Sequence, residues 1–293
     1  MAVGQVIRAH SNIYYVLSDG QEVECRPRGR FRLDKTGVLA GDLVEIHLEQ
    51  DGEGRIDKIL PRKTELQRPP IANVDQALVV FTIKEPEADY LFLDRVLVHV
   101  ARVGVDAVLI LNKADLLSPE AIAAFHKLYG EQVGYSVVTM AAKHGIGVDE
   151  LKPHLKGRVS VLAGHSGVGK SRLVRALDPA REDVKVGELS AKLGRGKHTT
   201  RHVELMYLPE SGGLIADAPG FTYLEFENIE KKDVPPCFPE FERLRHECRF
   251  DDCMHNKEPD CAVRAAVAEG RIAASRYQNY LLFLKEVEAL KRW

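Results

Sequence analysis

The sequence predicts a multidomain chain: a small β-barrel, then an α/β domain with a mostly parallel sheet, then a helical module built around clustered cysteines. Three changes of texture predict it. Residues 1–63 hold only short alternating runs separated by turn residues. Residues 64–223 alternate wholly apolar runs with runs of helical period. Residues 224–293 open with Pro235-Pro236, gather Cys and His, and end in a helical stripe. A chain of 293 residues has room for two to three domains of ordinary size. Its 45% hydrophobic and 29% charged content suits a protein that buries cores, not a disordered one.

In the first segment, Gln5–Arg8, Tyr14–Leu17, Val23–Cys25 and Leu43–His47 alternate. Asp19-Gly20, Gly37, Gly41-Asp42 and Asp51-Gly52 interrupt them. Period two punctuated by Gly and Asp is strand-and-turn chemistry. Several short strands in so few residues suggest a closed barrel of OB type. Such barrels bind single-stranded nucleic acid through their loops and one strand face. Arg26, Arg28, Arg30, Arg32 and Lys35 fall in one connection and are candidate RNA-phosphate contacts. A solvated loop is the other reading of such a run, and a barrel that only packs on its neighbour is the other reading of the fold. The net charge of −2 excludes a simple polycation, so RNA binding has to come from local patches.

Leu60-Pro61-Arg62-Lys63 and Arg68-Pro69-Pro70 read as a linker. Beyond it, strands are expected at Ala77–Ile83, Ala107–Leu111, Ser136–Met140, Val159–Ala163, Val203–Leu208 and Gly213–Ala216. Helices are expected at Leu91–Arg102, Pro119–Tyr129, Val148–Leu155 and Ser171–Leu177. Apolar strands alternating with helices imply a sheet covered on both faces.

Ala163 leads into Gly164-His165-Ser166-Gly167-Val168-Gly169-Lys170-Ser171, which matches G-x-x-x-x-G-K-[ST] in the required context of strand, loop and helix. Glycines let the backbone wrap phosphate oxygens, and the N–H groups at the helix N-terminus add positive potential. Lys170 is placed to reach the β and γ phosphates, and the Ser171 hydroxyl to ligate Mg²⁺. The His165 side chain is expected to point away from the γ-phosphate.

Asn112-Lys113-Ala114-Asp115 follows the strand Ala107–Leu111. A carboxylate at Asp115 offers two acceptor oxygens to the adjacent N1–H and amine donors of guanine; adenine presents a lone pair there instead. Asn112 can bridge neighbouring loops, and the Lys113 stem can cover the ring face. After the next strand, Ala141-Ala142-Lys143 is the candidate second base loop. Ala141 stands where the usual pattern has Ser, and the Ala142 N–H is the candidate contact to the base oxygen.

Asp217-Ala218-Pro219-Gly220 matches D-x-x-G, with Asp217 holding Mg²⁺ through water and the Gly220 N–H sensing the γ-phosphate. Between the two phosphate motifs, Gly194–Thr200 reads as a switch segment, with Thr200 preferred over Thr199 as a second Mg²⁺ hydroxyl. The base motifs precede the phosphate motifs, so the chain is circularly permuted, which is tolerated where termini lie close. The Asp217–Gly220 switch then feeds directly into the C-terminal module.

Phe221 occupies the position where Ras-like enzymes place a glutamine that orients water. Slow intrinsic hydrolysis follows, quickened by a partner. His198, on the switch segment, is the candidate catalytic residue; an exposed loop histidine is the alternative.

Of five cysteines, three belong to Cys248-x₄-Cys253-x-His255-x₅-Cys261. Three thiolates and one imidazole suit a closed, tetrahedral, structural zinc, one per chain. The segment is too small for a core of its own, which favours a metal over packed free thiols. Cys25 and Cys237 read as ordinary packed thiols. A helix is expected from about residue 270 to the end, with Ile272, Tyr277, Tyr280, Leu281, Leu284 and Val287 as its core stripe. Arg271, Arg276, Lys285, Lys291 and Arg292 lie around it as either RNA contacts or a solvated face. No apolar run reaches the roughly 18–20 residues that span a bilayer, and the N-terminus lacks a signal-peptide pattern. A cytoplasmic monomer without a membrane partner is expected.

The motif order and its flanks resemble the small-subunit-dependent GTPase family known as RsgA or YjeQ/YloQ. The resemblance covers nearly the whole chain. It includes Lys63-Thr64-Glu65-Leu66, Ala72-Asn73-Val74-Asp75-Gln76, the nucleotide motifs, and Cys248-Arg249-Phe250 through Cys261-Ala262-Val263. It implies a GTPase, alternating between GTP and GDP, that binds the 30S subunit, contacts 16S rRNA and assists late small-subunit maturation, with hydrolysis stimulated by the ribosome. A GTP-regulated RNA-binding switch with negligible hydrolysis is the alternative. A nucleotide-dependent kinase is a third reading, and Asn112–Asp115 argues against it.

Overall fold

The computed structural model describes residues 1–10, 12–27, 37–49, 52–67, 69–179, 203–216, 226 and 229–290. Contacts divide the chain into two compact units. One comprises Met1–Leu78, Ala142–Ala163 and Gly169–Thr222; the other comprises Val79–Ala141, Gly164–Val168 and Tyr223–Trp293.

The first unit begins with a closed barrel of β1 (Ala2–His10), β2 (Ile13–Ser18), β3 (Gln21–Pro27), β4 (Leu43–Leu48) and β5 (Gly54–Ile59), in the order β1-β2-β3-β5-β4. The β3–β5 pairing is parallel and the other pairings are antiparallel, which is the expected OB arrangement. Asp19 and Gly20 turn the β2–β3 hairpin with φ of 49° and 77°, the paired positive values of a type I′ turn. Val6, Val16, Cys25, Val44, Ile46 and Ile56 fill the interior.

The described residues of the expected linker, Leu60–Lys63 and Pro69-Pro70, are tied into the surrounding structure. Glu65–Gln67 (β6) and Pro70–Ala72 (β7) form a hairpin. Pro70 is tolerated because it opens its strand, where no ladder donor is needed. Arg62 fastens this stretch to the barrel through a two-pronged pair with buried Asp42, at 2.7 and 2.8 Å. Asn73 Nδ2 donates to the Gly41 carbonyl at 3.0 Å. Gly41 has φ +91°, and a Cβ there would lie 1.9 Å from the Ala72 carbonyl oxygen, so only glycine fits.

The sheet of the α/β region runs through β8 (Gln76–Phe81), which is buried throughout. In the first unit, the beginning of β8 is followed by β11 (Val159–Ala163), β13 (Gly213–Ala216) and β12 (Leu205–Leu208). β11 and β13 are parallel, while β12 is antiparallel. In the second unit, the end of β8 is followed by β9 (Asp106–Leu111) and β10 (Ser136–Thr139), which pair in parallel. Helices α1 (Tyr90–Arg102), α2 (Pro119–Phe125), α3 (Val148–Leu155) and α4 (Lys170–Leu177) fall where helical period predicts them. The expected helix Pro119–Tyr129 departs in detail: α2 passes into a π-helical stretch at His126–Val133. Gly134 stops it with φ 98°, and the Arg243 guanidinium donates to the terminal carbonyls of Gln132 and Val133.

The helix expected from about residue 270 is present as α7 (Ala274–Leu290); two helices the sequence reading did not place precede it, the one-turn α5 (Pro239–Glu242) and α6 (Ala262–Ala268). Phe226, Phe238, Phe241, Tyr280, Phe283 and Val287 form an aromatic-rich core with Val98 of α1. Arg276 is not the RNA contact or solvated residue expected of it. It is fully buried, held by Asp94 of α1 and Glu240 of α5. Arg271 and Lys285 are exposed, whereas Lys291 and Arg292 lie outside the described residues. No described helix is long and apolar enough to cross a membrane.

Candidate nucleotide and metal sites

The candidate base-recognition segment, Asn112–Asp115, sits at the C-terminal end of β9. Asn112 N donates to the Phe81 carbonyl at the end of β8, 2.8 Å away, and Ala114 N donates to Met140 O just beyond β10, 2.9 Å away. Three strand ends thus fix one loop. Lys113 adopts a left-handed conformation at φ 59° and opens a 3₁₀ turn over Ala114–Leu116. Its ammonium donates to the Glu85 carbonyl. Asn112 is buried, and its Nδ2 donates to the Val168 carbonyl at 2.8 Å. That bond joins the base-recognition segment to the phosphate loop across 56 residues of sequence. Asp115 is exposed. Ala142, the candidate backbone contact of the second base loop, is buried and opens a 3₁₀ turn after Ala141.

The phosphate loop leaves β11, whose residues through Ala163 are all buried. Gly164 has φ +133°, and a Cβ there would come within 2.2 Å of the Val80 carbonyl, a close approach that excludes any side chain. Gly167 and Gly169 also have positive φ, 82° and 101°, and Val168 is buried. Ser166 is exposed, and Lys170 and Ser171 are half-buried in the first turn of α4. Gly169 precedes α4 without a side-chain cap, and a helix N-terminus of this kind suits an anion. The His165 ring lies 4.1 Å from the Phe92 ring, with Nε2 3.8 Å from an Asp89 carboxylate oxygen. It therefore faces α1. The candidates His198, Thr199, Thr200, Asp217, Gly220 and Phe221 lie outside the described residues, as do Arg28, Arg30, Arg32 and Lys35. Arg26 is exposed, with Nε 3.3 Å from a Glu53 carboxylate oxygen.

The metal-ligand candidates do converge. One donor atom from each of Cys248, Cys253, His255 and Cys261 lies within 4.8 Å of the others. His255 Nδ1 is 3.6 Å from Cys248 Sγ and 3.4 Å from Cys261 Sγ. Tetrahedral zinc with ordinary bond lengths places sulfur and nitrogen ligands about 3.5 Å apart, so the cluster has the size of a zinc site. Burial holds His255 in its neutral, ligating form by lowering its pKa. Burial also raises the Cys261 thiol and pushes Cys253 up to about 12. Packed thiols of this kind need a cation to ionise them at neutral pH. The loop is held from outside: Tyr277 donates to His255 O at 2.7 Å, Tyr280 donates to Met254 O, and the Glu258 carboxylate accepts from the N–H groups of Met254, Asn256 and Lys257. Cys25 and Cys237 are buried apart from it, each thiol pushed up to about 11 by burial.

Sequence reasoning missed the Asp94–Arg276–Glu240 cluster. A signal existed, since Arg276 lies on the stripe Ile272–Tyr280–Leu284 at helical spacing, and Glu240 sits between Phe238 and Phe241. Opposite charges embedded in apolar stripes can answer one another.

Residues 59–227 match the family described as RsgA GTPase, and residues 3–56 match the RsgA N-terminal domain. The small ribosomal subunit biogenesis GTPase RsgA of Shouchella clausii is 46% identical over 295 residues, covering 100% of this chain and 99% of that one. The protein of the same name from Moorella thermoacetica is 47% identical over 289 residues, covering 99% and 98%. Among solved structures, YjeQ from Thermotoga maritima superposes with a TM-score of 0.83 at 35% identity, covering 98% of each chain. YloQ, described as a circularly permuted GTPase, superposes with a TM-score of 0.84 at 35% identity, covering 99% of this chain and 96% of that one.

Proposed function

Because the chain belongs to the RsgA GTPase family, and so is a GTP hydrolase of ribosome biogenesis, we propose that it binds the 30S subunit and 16S rRNA. On this reading it assists late small-subunit maturation as a cytoplasmic monomer, hydrolysing GTP fastest on the ribosome. Residues 1–63 contact RNA, with Arg26, Arg28, Arg30, Arg32 and Lys35 neutralising phosphates. Residues 64–223 hold the nucleotide, and residues 224–293 form the zinc-stabilised module.

Asp115 accepts the two guanine donors, and Lys113 covers the ring. Residues Gly164–Gly169 wrap the phosphates, and Lys170 neutralises them. Ser171 and Thr200 ligate Mg²⁺ directly, Asp217 does so through water, and Gly220 senses the γ-phosphate. His198 orients the attacking water in place of the glutamine that Phe221 replaces. The observation that supports this reading most is the Asn112 Nδ2 bond to Val168 O at 2.8 Å. It supports reading base recognition and phosphate binding as parts of one site, whatever their order in the chain.

The test is steady-state hydrolysis of GTP, with ATP as control, with and without purified 30S subunits. Stimulation by 30S subunits, confined to GTP, is the expected result. Turnover that stays negligible with 30S subunits present would favour the second reading that Phe221 supports, a GTP-regulated RNA-binding switch.

A further inference from the structure

We propose that Arg276 is a positioning residue for the nucleotide site, acting on the phosphate loop through helix α1. This rests on the reading of Gly164–Ser171 as the phosphate loop.

Helix α1 has two commitments. At its start, the Asp89 carboxylate caps the helix by accepting from Phe92 N at 2.8 Å. The Phe92 ring meets the ring of His165, inside the phosphate loop, at 4.1 Å between centroids. Two residues on, Asp94 faces elsewhere, because two residues turn a helix by about 200°. Both Asp94 oxygens are occupied. Oδ1 accepts from Arg276 Nη1 at 2.5 Å and from Tyr129 OH at 2.9 Å, and Oδ2 accepts from Asn279 Nδ2 at 2.7 Å. Arg276 completes the cluster by pairing with Glu240 through Nε and Nη2, at 2.8 and 3.1 Å. Its guanidinium also lies over Phe238 and Tyr129.

The cluster is fully buried and directional. One cation faces two carboxylates, and a shift of α1 by a fraction of a turn would strand charges that cannot reach water. Farther along α1, Arg95 binds Glu286 of α7 with two bonds of 2.7 Å, and Val98 enters the C-terminal core. Apolar contacts tolerate sliding; the Arg276 geometry does not. Arg276 therefore sets the rotation of α1, and with it the place of Phe92 against His165.

The test uses the full-length, zinc-loaded chain and equilibrium titration with a fluorescent GDP. Arg276→Met is expected to raise the GDP Kd about tenfold, the scale of an ordinary coupling between sites, and Arg276→Lys to raise it less. Phe92→Leu, at the other end of the path, is expected to raise it similarly. The double variant should be no weaker than about the worse single one, since both break one connection. Val263→Ala, a cavity in the same core away from α1, is the control: it should lower thermal stability and leave the Kd unchanged. Wild-type affinity in a folded Arg276→Met protein, an equal loss in Val263→Ala, or additive losses in the double variant would each overturn the proposal. If Arg276→Met fails to retain zinc, Arg276→Lys and Phe92→Leu decide it by the same criteria. A wild-type chain that binds no guanine nucleotide would bring down the site reading itself, and the proposal with it.

Discussion

The N-terminal barrel and the C-terminal module are of similar length, yet they are held together in opposite ways. The barrel closes a ladder of backbone hydrogen bonds around an aliphatic interior, and its charged side chains on β4 and β5 pair at the surface, with Asp42 the buried exception among the described residues. The module has no strand among its described residues. It packs aromatic rings, four metal-ligand side chains and a buried Arg between two carboxylates. A segment this small cannot bury enough aliphatic surface to offset the entropy of ordering its loops. Directional contacts replace the ladder. The barrel should therefore respond to changes of volume, and the module to changes of charge, metal and pH.

Removing zinc gives the largest expected effect. Binding to a four-ligand site of this kind contributes on the order of 10 kcal/mol. Cys253→Ser, or a strong chelator, should collapse the loop over residues 248–261 and leave the barrel folded. Metal analysis and amide exchange resolved by segment would check this. The pH dependence has a definite sign. In the metal-free chain burial pushes the Cys253 thiol up to about 12 and raises that of Cys261, so binding must release their protons. Zinc affinity should accordingly fall as pH falls. Loss of barrel protection on chelation would break the comparison.

Next in size is the buried ion cluster. Asp94→Ala leaves Arg276 with one carboxylate and deprives Tyr129 and Asn279 of their acceptor. Breaking such a pair costs about 3–5 kcal/mol, readable by chemical denaturation. The triple replacement Asp94→Leu, Glu240→Met, Arg276→Met sharpens the point. It removes every charge at once, so it should be far milder than Asp94→Ala. If the two were equally damaging, the cluster would be acting through volume, as the barrel does.

The difference between the regions also explains what could be read from sequence. The barrel and the phosphate loop are local patterns: alternation between Asp-Gly and Gly-Asp turns, or glycines at fixed offsets before Lys170 and Ser171. The four zinc ligands lie within fourteen residues, so their spacing was legible too. Arg276 finds its partners 36 and 182 residues away, and a charge beside a helix reads as solvated until that fold is known. The hairpin at Glu65–Ala72 was hidden by Pro69-Pro70, which marks a linker and an edge strand equally well. The π-helical turns at His126–Val133 were hidden because eight residues cannot distinguish one helical period from another.

The smallest expected effect lies in the barrel. Ile56 is wholly buried on β5, opposite Pro27 of β3 and Ile46 of β4. Ile56→Val removes one methylene and changes no hydrogen bond or charge. The cost should be about 0.5–1.5 kcal/mol, a drop of several degrees in the barrel's thermal transition for a domain of this size. Zinc content should not change, because the four candidate ligands belong to the other compact unit. A loss well above that range would mean that the closed ladder leaves the core no room to relax around a small cavity. A loss near zero would mean that the aliphatic interior has slack, and that the hydrogen-bonded closure itself holds the barrel together.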